Sequence, residues 1–297
     1  MNVSKTACPA CLSLSVLRSV SVVDHEYALD IRATYNQCAE CHSFYQHPMP
    51  DEATLASYYP HDYHSFDANN IFTYLKHSQR LKSIVSLLKK DTFTMLDYGC
   101  GGGSFLQFAA RQNPKATFIG YEVQAEKEII HLVDKRAVII KGRLENLIKE
   151  LPEVDLITMH HVIEHLPDPY TVIKALYEKL SPGGFFIGQT PATDSLEYKI
   201  FQTKWSGFHA PRHTVIFSQK GMEKILKRSE LINSRVYGGF NPGGIAVSLA
   251  SLPQGNRPGR IARQGFLWLF VALLAALLYP IDLLSGQPGI INFQAQK

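Results

Sequence analysis

The stretch 94–104, TMLDYGCGGGS, constrains this chain more than any other. Met95 and Leu96 continue Thr94 as a short apolar run that reads as a buried strand, and Asp97 ends it. Gly99, Gly101 and Gly103 then crowd one turn, and Phe105, Leu106, Phe108 and Ala109 follow at helical spacing. A strand, a glycine turn and a helix start form a nucleotide-binding element, because glycines admit a ligand that a Cβ would exclude.

From Phe93 onward the pattern alternates. Strands are expected at 94–96, 117–121, 137–141, 154–159 and 185–189, and a sixth at 233–237. Helices are expected near 104–112, 124–133, 168–180 and 219–229. Such alternation predicts an α/β, doubly wound, mostly parallel sheet, with ligands beyond the strands' carboxyl ends. A further helix is expected over about 70–90, apolar on one face and basic on the other.

The loop itself narrows the ligand. A dinucleotide fingerprint reads GxGxxG, whereas Gly99-Cys-Gly101-Gly-Gly103 reads GxGxG with Asp97 two residues before it. An acid there repels a pyrophosphate but suits the ammonium and sulfonium of S-adenosylmethionine (SAM). Glu122, at the end of the second strand, is placed to accept hydrogen bonds from two ribose hydroxyls. Cys100 reads as a small buried residue.

The other four cysteines form two pairs, Cys8-Pro-Ala-Cys11 and Cys38-Ala-Glu-Cys41. Two CxxC turns suggest a tetrahedral structural zinc, with a hairpin filling the interval between them. The sequence opens without an apolar leader, so a cytoplasmic location is expected. A net charge of +4 in 297 residues is too slight to argue for nucleic acid.

The ordered motifs resemble class I SAM-dependent methyltransferases. LDYGCGGGSF looks like their first motif; GYE, KGRLENL and VDLITMHHVIEHLPDP fall at their second to fourth strand ends; LSPGGFFIGQTP resembles the turn into their fifth strand. The front end, with KWSGFHAPRHTVIFS, is similar to a bacterial subgroup that carries an N-terminal zinc-binding segment. The resemblance implies a Rossmann-like core with a seven-stranded sheet, whose last strand is GIINFQAQK, and in which Asp97, Gly99, Gly101 and Gly103 surround the methionine part of SAM. Glu122 would hold the ribose, Leu144 and Glu145 would flank the adenine, and His160 would lie under the cofactor. It also implies a small-molecule or lipid- or sugar-linked acceptor, in cell-envelope or secondary metabolism. A zinc-ribbon RNA methyltransferase and a quinone-type O-methyltransferase stand as alternatives.

A general base helps methyl transfer to a hydroxyl, and histidine titrates near neutrality. His161 and His213 are the candidate bases, and Arg212 a candidate site for an anionic acceptor. Trp205, Phe208 and His209 could form an aromatic lid with them. His161-x-x-Glu164-His165 also resembles the ExxEH metal site of quinone O-methyltransferases, with His161 in place of the first carboxylate.

The domain plan expected is a zinc-ribbon-like segment at 1–48, a linker and leading helix at 49–92, and the SAM-binding core at 93–240. A hydrophobic insertion follows at 241–286, and the last core strand at 287–297. Within the insertion, the apolar stretch 266–284 reads as a membrane-surface anchor at the inner face, a buried helix or a dimer contact.

Overall fold

The computed structural model describes residues 7–59, 71–123, 127–132, 136–239, 241–263 and 265–297. Its centre is an eight-stranded sheet. In chain order the strands are β1 (Val16–Val23), β2 (Arg32–Cys38), β3 (Phe44–Gln46), β4 (Thr94–Tyr98), β5 (Thr117–Val123) and β6 (Glu128–His131). There follow β7 (Ala137–Gly142), β8 (Val154–His160), β9 (Leu180–Pro191), β10 (Val215–Ile216), β11 (Ile232–Gly238) and β12 (Ile290–Gln296). The large sheet runs β11-β12-β9-β8-β4-β5-β7-β6.

Strands β9, β8, β4, β5 and β7 are mutually parallel, and β12 lies antiparallel between β9 and β11. Met95, Leu96, Phe118, Ile157 and Phe186 are buried in it. Strands buried on both faces need near-continuous apolar runs, and the sequence of each supplies one. The strand order reverses beside β4, so the cleft at its carboxyl end is where a ligand can enter.

The helices are α1 (Glu52–Ser57), α2 (Ile71–Leu88), α3 (Ser104–Gln112), α4 (Leu144–Glu150), α5 (Pro169–Lys179), α6 (Leu196–Phe201), α7 (Gln219–Arg228), α8 (Pro242–Ser251) and α9 (Gly265–Leu284). Each short helix has a local cause. Asp51 caps α1 by accepting from Thr54 N–H, Asp168 caps α5 by accepting from Thr171 N–H, and Ser195 caps α6.

Three expectations change. The helix expected near 124–133 is in part the strand β6, paired antiparallel to β7; 127 and 132 are neither helix nor strand, and 124–126 and 133 lie outside the described residues. This is the eighth strand, and Glu-Ile-Ile-His is β-branched at its centre, which favours a pleated edge over a helix turn. The boundary at residue 48 is crossed by main-chain pairing: β1, β2 and β3 form a four-stranded sheet with β10, whose Val215 pairs Tyr45. The insertion holds a second helix, α8, before α9, the helix of the apolar stretch 266–284. Positions 60–70, including Tyr63, lie outside the described residues.

Candidate active site

The glycine turn is shaped by contacts as well as by conformation. Gly99 and Gly103 have φ of +77° and +76°, in the left-handed region. A Cβ on Gly99 would stand 2.4 Å from Val162 Cγ2, and one on Gly103 2.6 Å from Ile139 Cδ1. The loop therefore folds tightly against the ends of β7 and β8. Gly101 N–H donates to Glu122 Oε2 at 2.7 Å, so the acid at the end of β5 faces the turn. Burial, with Asp97 nearby, pushes the Glu122 carboxyl up, opposed by hydrogen bonds from the Gly101 and Val123 backbone and by the charge of Lys141.

Asp97 is held from two sides. Arg80, on α2, donates to Asp97 Oδ1 at 2.7 Å, and the Thr158 hydroxyl donates to the same oxygen at 2.6 Å. The Arg80 guanidinium also lies 3.9 Å from the Phe105 ring centre, stacked against the first turn of α3. Its buried Nε has no hydrogen-bond partner, and neither has buried His160 Nε2 at the end of β8. Burial, with Arg80 nearby, pushes His160 well below its ordinary range, so the ring is neutral. A glycine cradle, two acids and two orphaned nitrogens fit a zwitterionic nucleoside ligand such as SAM. Arg80 is absent from the residues expected from sequence. Its signal was the basic side of the α2 pattern, which reads as an ordinary solvated face.

Leu144 and Glu145 start α4, one residue beyond the Arg143 that caps it. Lys141, near the end of β7, pairs with Glu122 across the sheet, so these residues border the same cleft.

The imidazoles gather at the next strand end. His161 follows β8 directly with φ of +56°. Its side chain is 41% exposed, with Nδ1 3.4 Å from Glu164 Oε1 and Nε2 3.0 Å from Gln189 Oε1. Glu164 is fully buried; its Oε2 accepts from the Thr190 hydroxyl at 3.0 Å, and its Oε1 has no hydrogen-bond partner. His213 Nδ1 donates to Gly207 O at 2.8 Å, which leaves Nε2 bare, 3.9 Å from Glu164 Oε1. His165 Nδ1 lies 2.8 Å from the Tyr59 hydroxyl, and its ring centre is 4.6 Å from that of His213. Burial pushes His165 down to about 4 and His213 well below its usual range. One ligand atom each from Glu164, His165 and His213 lie within 4.8 Å of one another.

Two expectations for this region are corrected. Arg212 is not offered to an acceptor. It is fully buried and grips Asp24 with both terminal nitrogens, at 3.1 and 3.0 Å, while its Nε donates to His209 Nε2 at 3.0 Å. His209 Nδ1 in turn donates to Glu26 at 2.5 Å, and Glu26 also pairs with Arg263. This network fastens β1–β2 to the segment 209–213. Trp205 and Phe208 are not a lid either: both are buried in a cluster with Phe44, Tyr198 and Ile245.

The four N-terminal cysteines converge. Cys8 and Cys41 Sγ are 3.7 Å apart, and Cys11 and Cys38 Sγ 3.5 Å. Four sulfurs each about 2.3 Å from one tetrahedral zinc are about 3.8 Å apart, so the cluster fits that ion. Cys100 lies apart from them, and burial raises its thiol, as suits an unreactive residue.

A family model described as a methyltransferase domain matches residues 72–233, more than half of the chain. The mitochondrial ubiquinone biosynthesis O-methyltransferase of Candida albicans is 28% identical over 152 residues, 49% of this chain and 46% of that protein. The ubiquinone biosynthesis O-methyltransferase of Pseudomonas putida is 34% identical over 94 residues, 30% of this chain and 40% of the relative. The chain thus spans less than half the length of these relatives. Among solved structures, the plantazolicin methyltransferase BpumL in complex with SAH aligns with a TM-score of 0.48 and 17% identity, over 84% of this chain and 90% of that one. A SAM-dependent methyltransferase from Archaeoglobus fulgidus aligns at 0.45 and 16%, over 77% and 100%.

Proposed function

We propose that this chain, which belongs to the methyltransferase-domain family and is a SAM-dependent methyltransferase, methylates an oxygen of a small acceptor carried on a lipid or sugar. The observation that carries the reading is the His161–Glu164 pair at the lip of the cofactor cleft, one strand end from Asp97. SAM supplies a methyl group on a cationic sulfur, ready for in-line displacement. The protein's task is then to orient the acceptor, exclude water and accept a proton.

Asp97 and Glu122 would meet the ammonium and the ribose, with Gly99, Gly101 and Gly103 against the cofactor backbone. Arg80 would reach the carboxylate through its free Nε, while Leu144, Glu145 and His160 border the adenine and the reacting end. In this structure His161 Nε2 donates to the Gln189 amide oxygen; with that contact replaced, the tautomer with Nδ1–H toward buried Glu164 would free the lone pair of Nε2. An acceptor hydroxyl taking the place of Gln189 there would lose its proton to His161 as its oxygen bonds to the methyl carbon and the carbon–sulfur bond breaks. His213, buried behind Glu164 with a bare Nε2, faces the carboxylate rather than the acceptor. The names of the ubiquinone biosynthesis relatives favour oxygen as the methylated atom.

A second reading rests on Glu164 Oε1, buried without a hydrogen-bond partner among imidazoles. Glu164, His165 and His213 would hold a divalent cation, and His161 would then act from its edge. Each histidine has an oxygen beside its other ring nitrogen, Tyr59 for His165 and Gly207 for His213, as metal-bound histidines usually do.

The test uses methyl-labelled SAM and a bacterial lipid extract as acceptor. Label is expected in the organic phase, and its absence while SAH still binds would remove the lipid-linked acceptor. Loss of transfer in EDTA, restored by magnesium, would select the second reading over the first.

A further inference from the structure

Helix α9 is apolar on both faces, yet the protein covers only one of them. Inward, Ala275 and Tyr279 are buried against the cluster that holds Phe201, Trp205 and Phe208. The Tyr279 hydroxyl donates to Gly239 O at 3.4 Å, and Asp282, also turned inward, accepts from Gly289 N–H at 3.2 Å. Outward stand Phe266, Leu267, Phe270, Leu273, Leu277 and Leu284, with Phe266 at 86% and Leu277 at 76% exposed. A contiguous apolar face of this size needs a covering.

We propose that the outward face of α9 lies in the plane of an anionic membrane surface, with the helix parallel to the bilayer and not across it. Length and composition alone would permit a crossing. The sheet forbids it: the chain leaves β11 at Gly238 and re-enters β12 beside it, Gly238 pairing with Ile291. One 20-residue helix spans about 30 Å, and α8, at about 15 Å, is too short to bring the chain back. α9 is also docked along its length on α8 and the segment 201–208.

Chemistry separates a bilayer from a protein partner. Protein interfaces carry about one hydrogen bond per 100–200 Å² and a polar rim. From Gly265 to Ile281 the exposed side chains are Phe, Leu, Ile, Ala and Pro, with no polar group among them. The sequence leading into the helix carries charge of one sign. Between Glu230 and Asp282 there is no acid, while Arg257, Arg260 and Arg263 precede α9, Arg263 being paired with Glu26. Exposed Arg257 and Arg260 lie on the segment that leads into α9. An apolar face flanked by arginines fits acyl chains beneath anionic headgroups.

The same helix packs behind Phe208 and Ala210, in the segment that carries His213 toward Glu164. Seated in the interface, α9 would bring the acceptor side of the site to the bilayer surface. That consequence rests on the acceptor reading above, whereas vesicle binding does not.

Flotation with phosphatidylcholine vesicles, with and without phosphatidylglycerol, tests the proposal on the full chain. The protein is expected to float with the anionic vesicles. Leu273→Glu with Leu277→Glu, and separately Arg257→Glu with Arg260→Glu, should each weaken binding by about tenfold or more. Unchanged SAH affinity in both variants shows that they are folded and keeps methyl transfer as a separate question. Three results would overturn it: protein that stays at the bottom of the gradient, a soluble dimer dispersed by the leucine substitutions without vesicle binding, or protein released from membranes only by detergent.

Discussion

His161 is exposed because the backbone turns into the left-handed region immediately after β8, at φ of +56°. That turn separates it from His160, which stays under the cleft with a buried, unpartnered Nε2. Replacing His161 by Asn should lower kcat by about 10²–10⁴ while leaving SAH affinity unchanged, as titration calorimetry would read. Arg212 behaves differently. Arg212→Ala leaves Asp24 buried without its partner, so thermal or urea unfolding should show a loss of about 3–5 kcal/mol. Asp24→Ala should cost as much. A variant with native stability and only a raised KM for the acceptor would restore the binding role expected from sequence. That role was misread because GFHAPRH shows charge and aromatic residues together, and nothing nearby in sequence announces Asp24, which lies 188 positions away.

At the scale of elements, the parallel strands and the glycine turn were legible because each strand is a separate apolar run with turn residues around it. The small sheet was not, since β10 contributes only Val215 and Ile216 to a partner far away in sequence. Strand β6 was hidden by a pattern short enough to read either way. The cysteine cluster anchors this small sheet, and Arg228 of α7 donates to Pro9 O and Ala10 O behind it. Chelation should therefore lower the melting temperature by several degrees, and zinc should restore it; an unchanged melting curve would remove the metal from the fold. Where α6 meets α9, burial and the nearby Asp282 push Glu197 up to about 8. The unfolded chain releases this proton near pH 4.3 and the folded one only near 8, so stability is lost as pH rises through that window. Glu197→Gln should flatten the fall in melting temperature between pH 5 and 8, and a parallel fall in both proteins would contradict the assignment.

For the whole molecule, the account joins three layers. A doubly wound sheet presents the cofactor loop, a small sheet anchored at the cysteine cluster carries the segment of His213, and α8 with α9 closes the far side of that segment. Asp97, the glycines and Glu122, proposed to hold the cofactor, stand out in the sequence because they sit at strand ends in a fixed spacing. Arg80 and Glu164 could not be ranked, since their meaning comes from what faces them in space: Asp97 for the first, and His161 with His213 for the second. The measurement that bears most directly on the whole is transfer of labelled methyl from SAM into the lipid extract by wild type and by His161→Asn, at equal SAH occupancy. The account predicts label in the wild-type organic phase and a fall of about 10²–10⁴ in the variant. Equal transfer by the two proteins would contradict it.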